Sequence, residues 1–162
     1  MRPLASSFTS LLIIALLSGC GWQLQGTSRL SEAAATTYIE TNDRYSDFYR
    51  ALRERLQASG ARLTERREDA RAIVRIRYDQ SGQRVLAVSA RNTPQEYEVF
   101  YAVEYSVSNQ TEELIEPSRV ELTREYSYDE TAVLAKQKEQ AVLREALARD
   151  LAGLLVRRLS TL

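Results

Sequence analysis

The sequence predicts an α+β fold, a two-layer sandwich in which a mostly antiparallel, four-stranded sheet is covered on one face by two helices. The predicted elements follow in the order strand, helix, three strands, helix. One strand alternates apolar and polar residues almost without interruption, which is typical of a sheet with one buried and one wet face. Both helices carry an apolar stripe that suits the buried face of such a sheet.

Residues 1–19 are typical of an export signal. Arg2 gives a positive start, residues 11–17 form a short apolar run, and small residues stand directly before Cys20. The run is far shorter than the roughly 20 apolar residues that a membrane-spanning helix needs. The pattern resembles the lipobox of bacterial lipoproteins, which implies cleavage before Cys20, a diacylglyceryl group on its thiol and an acyl group on the new amino terminus. An ordinary secretory signal that ends beside a cysteine is the alternative.

Residues 20–35 are small and polar and lack a clear period, so we expect a lipidated tether that leads into a single domain over residues 36–162. Trp22 suits the headgroup layer of a membrane, and packing against the domain or a partner is the alternative. In the lipoprotein pattern, an Asp after the lipidated cysteine marks retention in the inner membrane. Gly21 stands there instead, which favours the outer membrane.

The composition argues against nucleic acid and against most enzyme classes. The 22 basic residues balance the 22 acidic ones, so no net positive charge favours nucleic-acid binding. The sequence contains no histidine, and its one cysteine is the expected lipidation site, so no disulfide is expected. It also contains no glycine-rich phosphate loop. We therefore expect a protein that is not an enzyme and that needs no metal or other cofactor.

The sequence of the first half of the domain predicts a strand followed by a helix. The β-branched and aromatic segment 36–41 is the strand, and Asn42 or Asp43 is expected to cap the helix that follows. The apolar stripe of this helix consists of Tyr45, Phe48, Tyr49, Leu52 and Leu56. Gly60 is expected to end the helix, and the charged residues 65–71 connect it to the next strand.

Alternation predicts that residues 72–78 form the second strand. Its two faces carry Val74, Ile76 and Tyr78 on one side and Ile73, Arg75 and Arg77 on the other. Ser81-Gly82 suggests a bulge or turn before the strand pattern continues over residues 85–89. Residues 91–94 are expected to be a turn, because Pro94 cannot donate to a ladder.

The clearest strand covers residues 96–107. Its buried face is expected to carry Tyr97, Val99, Tyr101, Val103, Tyr105 and Val107, and its other face Glu96, Glu98, Phe100, Ala102, Glu104 and Ser106. Residues 109–117 are predicted to be a loop, and residues 119–126 the last strand, with Val120 and Leu122 on one face. The last helix is expected to begin at a cap formed by Asp129 or Thr131 and to reach close to Leu162. Its apolar stripe consists of Leu143, Leu147, Leu151, Leu154 and Leu155.

The second face of the sheet is expected to be polar. It would carry Arg75, Arg77, Glu98, Glu104, Arg119, Glu121 and Glu125. Charges of both signs can pair across strands, each pair contributing roughly 0.2–1 kcal/mol. The face is therefore either a solvated surface without a partner or a docking surface for another polar surface, such as the hydrophilic lumen of an outer-membrane β-barrel.

Three short motifs stand along the chain in this order. They are residues 20–24 at the anchor, Arg91-Asn92 with Glu96-Tyr97 around the central turn, and residues 134–136 with Glu139-Gln140 in the last helix. Together they resemble the LptE family of lipopolysaccharide-assembly lipoproteins. The resemblance implies a lipid-anchored protein on the periplasmic side of the outer membrane. It implies one-to-one pairing with the β-barrel protein LptD, whose lumen the lipoprotein plugs and whose assembly it assists, and a part in delivering lipopolysaccharide to the outer leaflet.

The resemblance also implies direct contact with lipopolysaccharide through basic residues. The candidates in this sequence are Arg91 in the turn and Lys136 in the last helix, with Lys138 as an additional candidate. A cation on a loop or a helix edge suits the phosphates of lipid A. The alternative function is a free-standing periplasmic lipid carrier, which would need an apolar cavity between the helices and the sheet. The tyrosine-valine stripe of residues 97–107 favours tight packing instead.

Overall fold

The computed structural model describes residues 30–127 and 133–162. The helices are α1 (Asp47–Ala58) and α2 (Val133–Leu159), and the strands are β1 (Thr36–Glu40), β2 (Arg62–Leu63), β3 (Ala72–Val88), β4 (Pro94–Ser108) and β5 (Glu113–Ser127). The strands form a single sheet in the order β2-β1-β3-β4-β5. Two helices on one face of a mixed sheet confirm the predicted α+β sandwich, with one strand more than expected.

The additional strand is β2, which consists of only two residues. It pairs parallel to β1, with Thr36 opposite Arg62 and Thr37 opposite Leu63. β1 also runs parallel to β3, whereas β3, β4 and β5 are antiparallel to one another. Two residues are too few to show an alternating pattern, so this strand has no periodic signal in the sequence.

The core lies between the helices and the odd-numbered face of β4. Val99, Tyr101, Val103, Tyr105 and Val107 are each at most 5% exposed, as the alternation predicts. From the helix side they are covered by a buried set that consists of Phe48, Leu52, Leu56, Leu147, Leu151 and Leu155. Fully burying one such side chain contributes roughly 1.5–3 kcal/mol, so this layer is the main source of stability. Leu154 was expected in the α2 stripe but is 38% exposed.

The predicted cap of α1 is wrong. The helix begins after Ser46, whose hydroxyl accepts a hydrogen bond from the Tyr49 N–H at 3.1 Å. Asp43 instead accepts from the Tyr45 N–H, a local turn that precedes the helix. Gly60 follows the last turn with φ of +89°, a left-handed conformation that favours glycine and ends the helix as expected. The expected α2 caps, Asp129 and Thr131, lie outside the described residues.

β3 is continuous through Ser81-Gly82, so the bulge or turn expected there is absent. The register of β3 against β4 shifts earlier, between Ile76 and Tyr78. Ile76 lies opposite Tyr105 on the covered face, and Tyr78 lies opposite Glu104 on the other face. The extra residue at this bulge therefore turns Tyr78 away from the face that simple alternation predicts.

β5 begins at Glu113, several residues earlier than expected. The predicted loop over residues 109–117 is thus restricted to a tight turn, in which Asn109 N–H donates to the Glu112 carbonyl. Pro117 lies inside β5 rather than in a loop. A proline is tolerated there because β5 is an edge strand and has no neighbour on its outer side. Val120 and Leu122 share the covered face with Val103 and Tyr101, as predicted.

Candidate functional site

Two surfaces carry the candidate functional residues. The first is the uncovered face of β3, β4 and β5, called the open face below, which carries Tyr78, Arg84, Glu98, Phe100, Glu104, Arg119 and Glu121. The second is the hairpin tip, residues 89–93, which joins β3 to β4. The cationic start of α2 lies at the same end of the sheet as the tip.

Arg84 is the centre of the open face. Its guanidinium donates to the carboxylate of Glu98 on β4 and, at 3.1 Å, to Glu121 on β5. The same group lies 5.4 Å from the ring centroid of Phe100. One cation thus joins three strands, and it pairs with two of the carboxylates that were predicted to lie on this face.

The remaining predicted charges of the open face are partly paired. Arg119 lies 4.5 Å above the ring of Tyr78, which reached this face through the bulge. Near β1, Glu40 accepts from Arg75 at 2.9 Å and from Arg67 at 2.7 Å. The arginines of these contacts are about half exposed, so each ion pair contributes little to folding, roughly 0–1 kcal/mol. The open face is therefore polar, close to charge balance and not required for the core.

Sequence reasoning missed Arg84 because it expected the strand to break at Ser81-Gly82. One signal could have located it. Phe100 is the single large apolar residue on the polar side of its strand, and a neighbouring glycine would make room for it. Gly82 does lie opposite Phe100, which puts Arg84 opposite Glu98.

The hairpin tip is shaped by Ser89. Its Oγ accepts from the backbone N–H groups of Arg91 and Thr93, each at 3.2 Å. Asn92 adopts φ of +61°, a conformation that asparagine tolerates well. Pro94 is the first residue of β4 and lies opposite Val88, so the predicted turn is present but ends before Pro94. These bonds hold the backbone of the tip and leave the Arg91 side chain exposed.

Lys136 and Lys138 lie in the first turns of α2 and differ in their surroundings. The Lys136 ammonium donates to Glu139 at 2.9 Å and lies 5.8 Å from the ring centroid of Tyr126. Its side chain is only 20% exposed, less than the sequence led us to expect. Lys138 is exposed. Tyr126 in turn stacks on Tyr97 with centroids 5.7 Å apart, which seats this part of α2 at the tip end of the sheet.

Cys20, the expected lipidation site, lies outside the described residues, as do the predicted signal peptide and the first part of the tether. Within residues 30–127 and 133–162, no helix is long and apolar enough to span a membrane. The same residues contain no group of three or more His, Cys, Asp or Glu side chains that could hold a metal ion.

A partly buried polar network lies between the sheet and the start of α1. The Tyr101 hydroxyl accepts from the Phe48 N–H at 3.1 Å and donates to Asp79 at 2.8 Å. The Ser46 hydroxyl donates to the second Asp79 oxygen at 2.5 Å. Two of the N–H groups that every helix leaves unpaired at its start are thus satisfied by Ser46 and Tyr101.

The ionisation of this network is shifted by its surroundings. Burial raises the pKa of the Asp79 carboxyl above its ordinary value, against the opposite effect of the hydrogen bonds from Ser46 and Tyr101. Burial and the adjacent Asp79 carboxylate raise the pKa of the Tyr101 hydroxyl well above its ordinary value. Because the groups fix α1 onto β3 and β4 and face the core, we assign them a structural role.

Comparisons with known proteins identify the family to which the sequence is similar. Residues 34–159 match the model of the family described as LptE, lipopolysaccharide-assembly. A protein named LPS-assembly lipoprotein LptE from Pectobacterium atrosepticum is 28% identical over 159 residues, which cover 96% of this chain and 85% of the relative. The protein of the same name from Yersinia enterocolitica is 28% identical over 150 residues, covering 91% of this chain and 72% of the relative.

Solved structures share the fold. The rare lipoprotein B from Shewanella oneidensis superposes with a TM-score of 0.68 at 24% identity, covering 78% of this chain and 94% of that protein. An uncharacterized lipoprotein B from Nitrosomonas europaea superposes with a TM-score of 0.72 at 23% identity, covering 86% of this chain and 90% of that protein.

Proposed function

Because this chain belongs to the LptE family of lipopolysaccharide-assembly proteins, we propose that it is an outer-membrane lipoprotein that plugs an LptD-like β-barrel and assists its assembly. In that complex it takes part in delivering lipopolysaccharide to the outer leaflet. Members of a lipopolysaccharide-assembly family of this kind are not enzymes, in agreement with the prediction from composition. The chain pairs with the barrel one-to-one, with its domain within the lumen.

The observation that carries the proposal is the open face. It is the uncovered surface of the sheet, with charges arranged around Arg84, and its ion pairs lie outside the core. The lumen of a large membrane barrel is polar, so a surface that is polar and nearly neutral can dock there without burying an unpaired charge. The helix-covered face is committed to the core, which leaves the open face as the larger surface for a partner.

The anchor completes the proposal. Lipidation of Cys20 would attach several acyl chains close to the start of the mature protein. Two or more chains hold a protein stably at a membrane, whereas one chain holds it only marginally. The predicted tether, residues 20–35, would then link the anchor to the domain.

The tip end of the molecule supplies the proposed lipopolysaccharide contacts. Arg91 is exposed on the tip, and Lys136 and Lys138 lie in the first turns of α2 at the same end. Phosphate groups accept charge-assisted hydrogen bonds from such cations. A free-standing lipid carrier is less well supported, because the side chains between the helices and β4 are buried and packed together.

Depletion tests the proposal. Cells depleted of this protein are expected to misassemble the barrel and to lack surface lipopolysaccharide, measured by immunoblotting of folded barrel and by surface labelling. Affinity purification of the tagged lipoprotein from outer membranes is expected to recover one large β-barrel protein in equal amount. Normal surface lipopolysaccharide after full depletion would rule the proposal out.

A further inference from the structure

β3 extends well beyond the strand that pairs with its outer side. β1 pairs with β3 only between Ala72 and Arg75, whereas β4 pairs with β3 as far as Val88. Residues 80–85 remain in unbroken register with β4, and in the described part of the chain no backbone group outside the β3–β4 ladder bonds to them. These six residues are called the free edge below.

The free edge lacks the usual protection against a further strand. Natural edge strands are blocked by lysine, proline, charged side chains or shortness. The free edge reads Gln-Ser-Gly-Gln-Arg-Val, and its one charge, Arg84, is engaged by Glu98 and Glu121 on the open face. The two outermost strands are protected, since β2 has two residues and β5 contains Pro117 and many charges.

Register shifts bound the regular stretch of β3, residues 78–85, that contains the free edge. One shift lies between Ile76 and Tyr78 and the next between Val85 and Ala87. Bulges of this kind bend a strand and interrupt pairing. A regular segment of six residues spans roughly 20 Å, which is the length of an ordinary β-strand in a globular protein. All of its residues except Gly82 are exposed.

We propose that the free edge binds an extended segment of the barrel partner as an added β-strand. The proposal rests on the proposed function, which supplies that partner. A row of alternating N–H and C=O groups is satisfied by an extended polypeptide, and addition of a strand to an edge is an established way to recognise one.

The position of Arg84 connects the free edge to the open face. Arg84 belongs to both, so a partner that docks on the open face reaches the free edge without a gap. Docking there would hold a nearby segment of the same partner at high effective concentration. A second copy of this chain is a poorer occupant, because two six-residue edges alone bury far less than the roughly 1,200–2,000 Å² of a stable interface.

Hydrogen exchange on the purified full-length lipoprotein, free and in complex with the co-purified barrel, tests this inference. The outward-facing amides of residues 80–85 are expected to exchange at least tenfold more slowly in the complex. Unchanged exchange in a complex that forms normally would overturn the added strand and leave the proposed function intact. Failure to recover any barrel would overturn both.

Edge-blocking variants give a second measurement. Gln80→Lys with Ser81→Lys places two cations on the free edge at exposed positions. The expected result is at least tenfold weaker association with the barrel at an unchanged melting temperature. Gln57→Lys with Ala58→Lys, at exposed positions of α1, makes the same charge change away from the sheet and is expected to bind normally. Equal binding by both variants would refute the inference. A hydrogen-exchange result would refute it as well. If the amides of residues 80–85 became protected in the free lipoprotein as its concentration rises, a second copy of the chain would be the occupant of the free edge.

Discussion

Phe100 on β4 lies directly opposite Gly82 on β3, and its ring occupies the space that a side chain at position 82 would need. A Cβ added to Gly82 would lie 2.7 Å from Cζ and 2.8 Å from Cε1 of Phe100. The ring also lies beneath the guanidinium of Arg84, with 5.4 Å between the guanidinium carbon and the ring centroid. The absence of a side chain at Gly82 therefore seats the ring and positions the arginine above it.

We predict that Gly82→Val destabilises the domain by about 1–3 kcal/mol, because the ring must move and overpacking of this kind costs that amount. Chemical denaturation gives the free energy of unfolding. The same substitution in a Phe100→Ala background serves as the control and should cost much less, since the clashing ring is gone. An equal cost in both backgrounds would show that Phe100 is not the cause.

The Tyr101 hydroxyl is expected to contribute more to stability than an ordinary surface hydroxyl. Tyr101→Phe removes the acceptor for the Phe48 N–H and a donor to Asp79. Leaving such buried partners unpaired costs about 1–3 kcal/mol. Tyr105→Phe is the matched control, because Tyr105 is equally buried on the same face of β4 and its hydroxyl forms no hydrogen bond with the described residues. Thermal or urea unfolding should show a clear loss for the first variant and a change within about 0.5 kcal/mol for the second.

Asp79 should make the stability of the domain depend on pH. Its folded-state pKa is raised, so the folded protein holds this proton more tightly than the unfolded chain. The stabilising contribution is fully present below the ordinary carboxyl pKa and is lost as pH rises through the raised folded-state value. Asp79→Asn does not titrate, so the free energy of the variant relative to wild type should be more favourable at pH 7 than at pH 4. Urea unfolding of both proteins across this range provides the measurement, and parallel curves would contradict the assignment.

Periodicity was sufficient to predict the covered face, because Val99, Tyr101, Val103, Tyr105 and Val107 are all buried. It did not predict that Ala102 and Ser106 on the other face are buried as well, or that Tyr45 of the expected α1 stripe is 87% exposed. It could not predict where a single extra residue changes the register. Alternation places Tyr78 on the covered face, and the bulge at Arg77 turns it toward Glu104 instead. Periodicity also failed at Pro117. A proline favours a loop in a sequence, and only the order of the strands shows that Pro117 lies in an edge strand, where a proline is tolerated.

Local sequence also underdetermines which of several capping residues is used. Asn42, Asp43 and Ser46 are all competent caps, and the choice falls on Ser46 because Asp79 binds its hydroxyl from a distant strand. Likewise Lys136 and Lys138 are equivalent by sequence. Only the approach of Tyr126 and Glu139 leaves the Lys136 side chain mostly covered, while Lys138 stays exposed.

Arg84 should matter for the partner more than for the fold. Arg84→Ala removes two ion pairs in which the arginine is 52% exposed, so we expect a loss of at most about 1 kcal/mol in the free energy of unfolding. It also leaves Glu98 and Glu121 without their common cation on the open face. We therefore expect association with the barrel to weaken by about tenfold or more, because an unpaired carboxylate would then be buried on docking.

Arg75→Ala is the control for Arg84→Ala, since it breaks a similar ion pair with Glu40 nearer to the opposite end of β3. Quantitative co-purification from outer membranes compares the two variants. A large fall in the unfolding free energy of Arg84→Ala, with normal recovery of the barrel, would assign this arginine to folding instead.

The tip cations should bind lipopolysaccharide without supporting the fold. Arg91→Asp with Lys136→Asp reverses two charges at one end of the molecule, and we expect at least tenfold weaker binding of purified lipopolysaccharide with native circular dichroism. The Lys136 side chain is 20% exposed, but its partner Glu139 is 45% exposed, so the loss of this ion pair should cost no more than about 1 kcal/mol. Arg149→Asp with Arg157→Asp reverses two exposed charges on α2 farther from the tip and should bind normally. Because both variants change the net charge equally, a similar loss in the two would attribute binding to overall charge and remove the role assigned to Arg91 and Lys136.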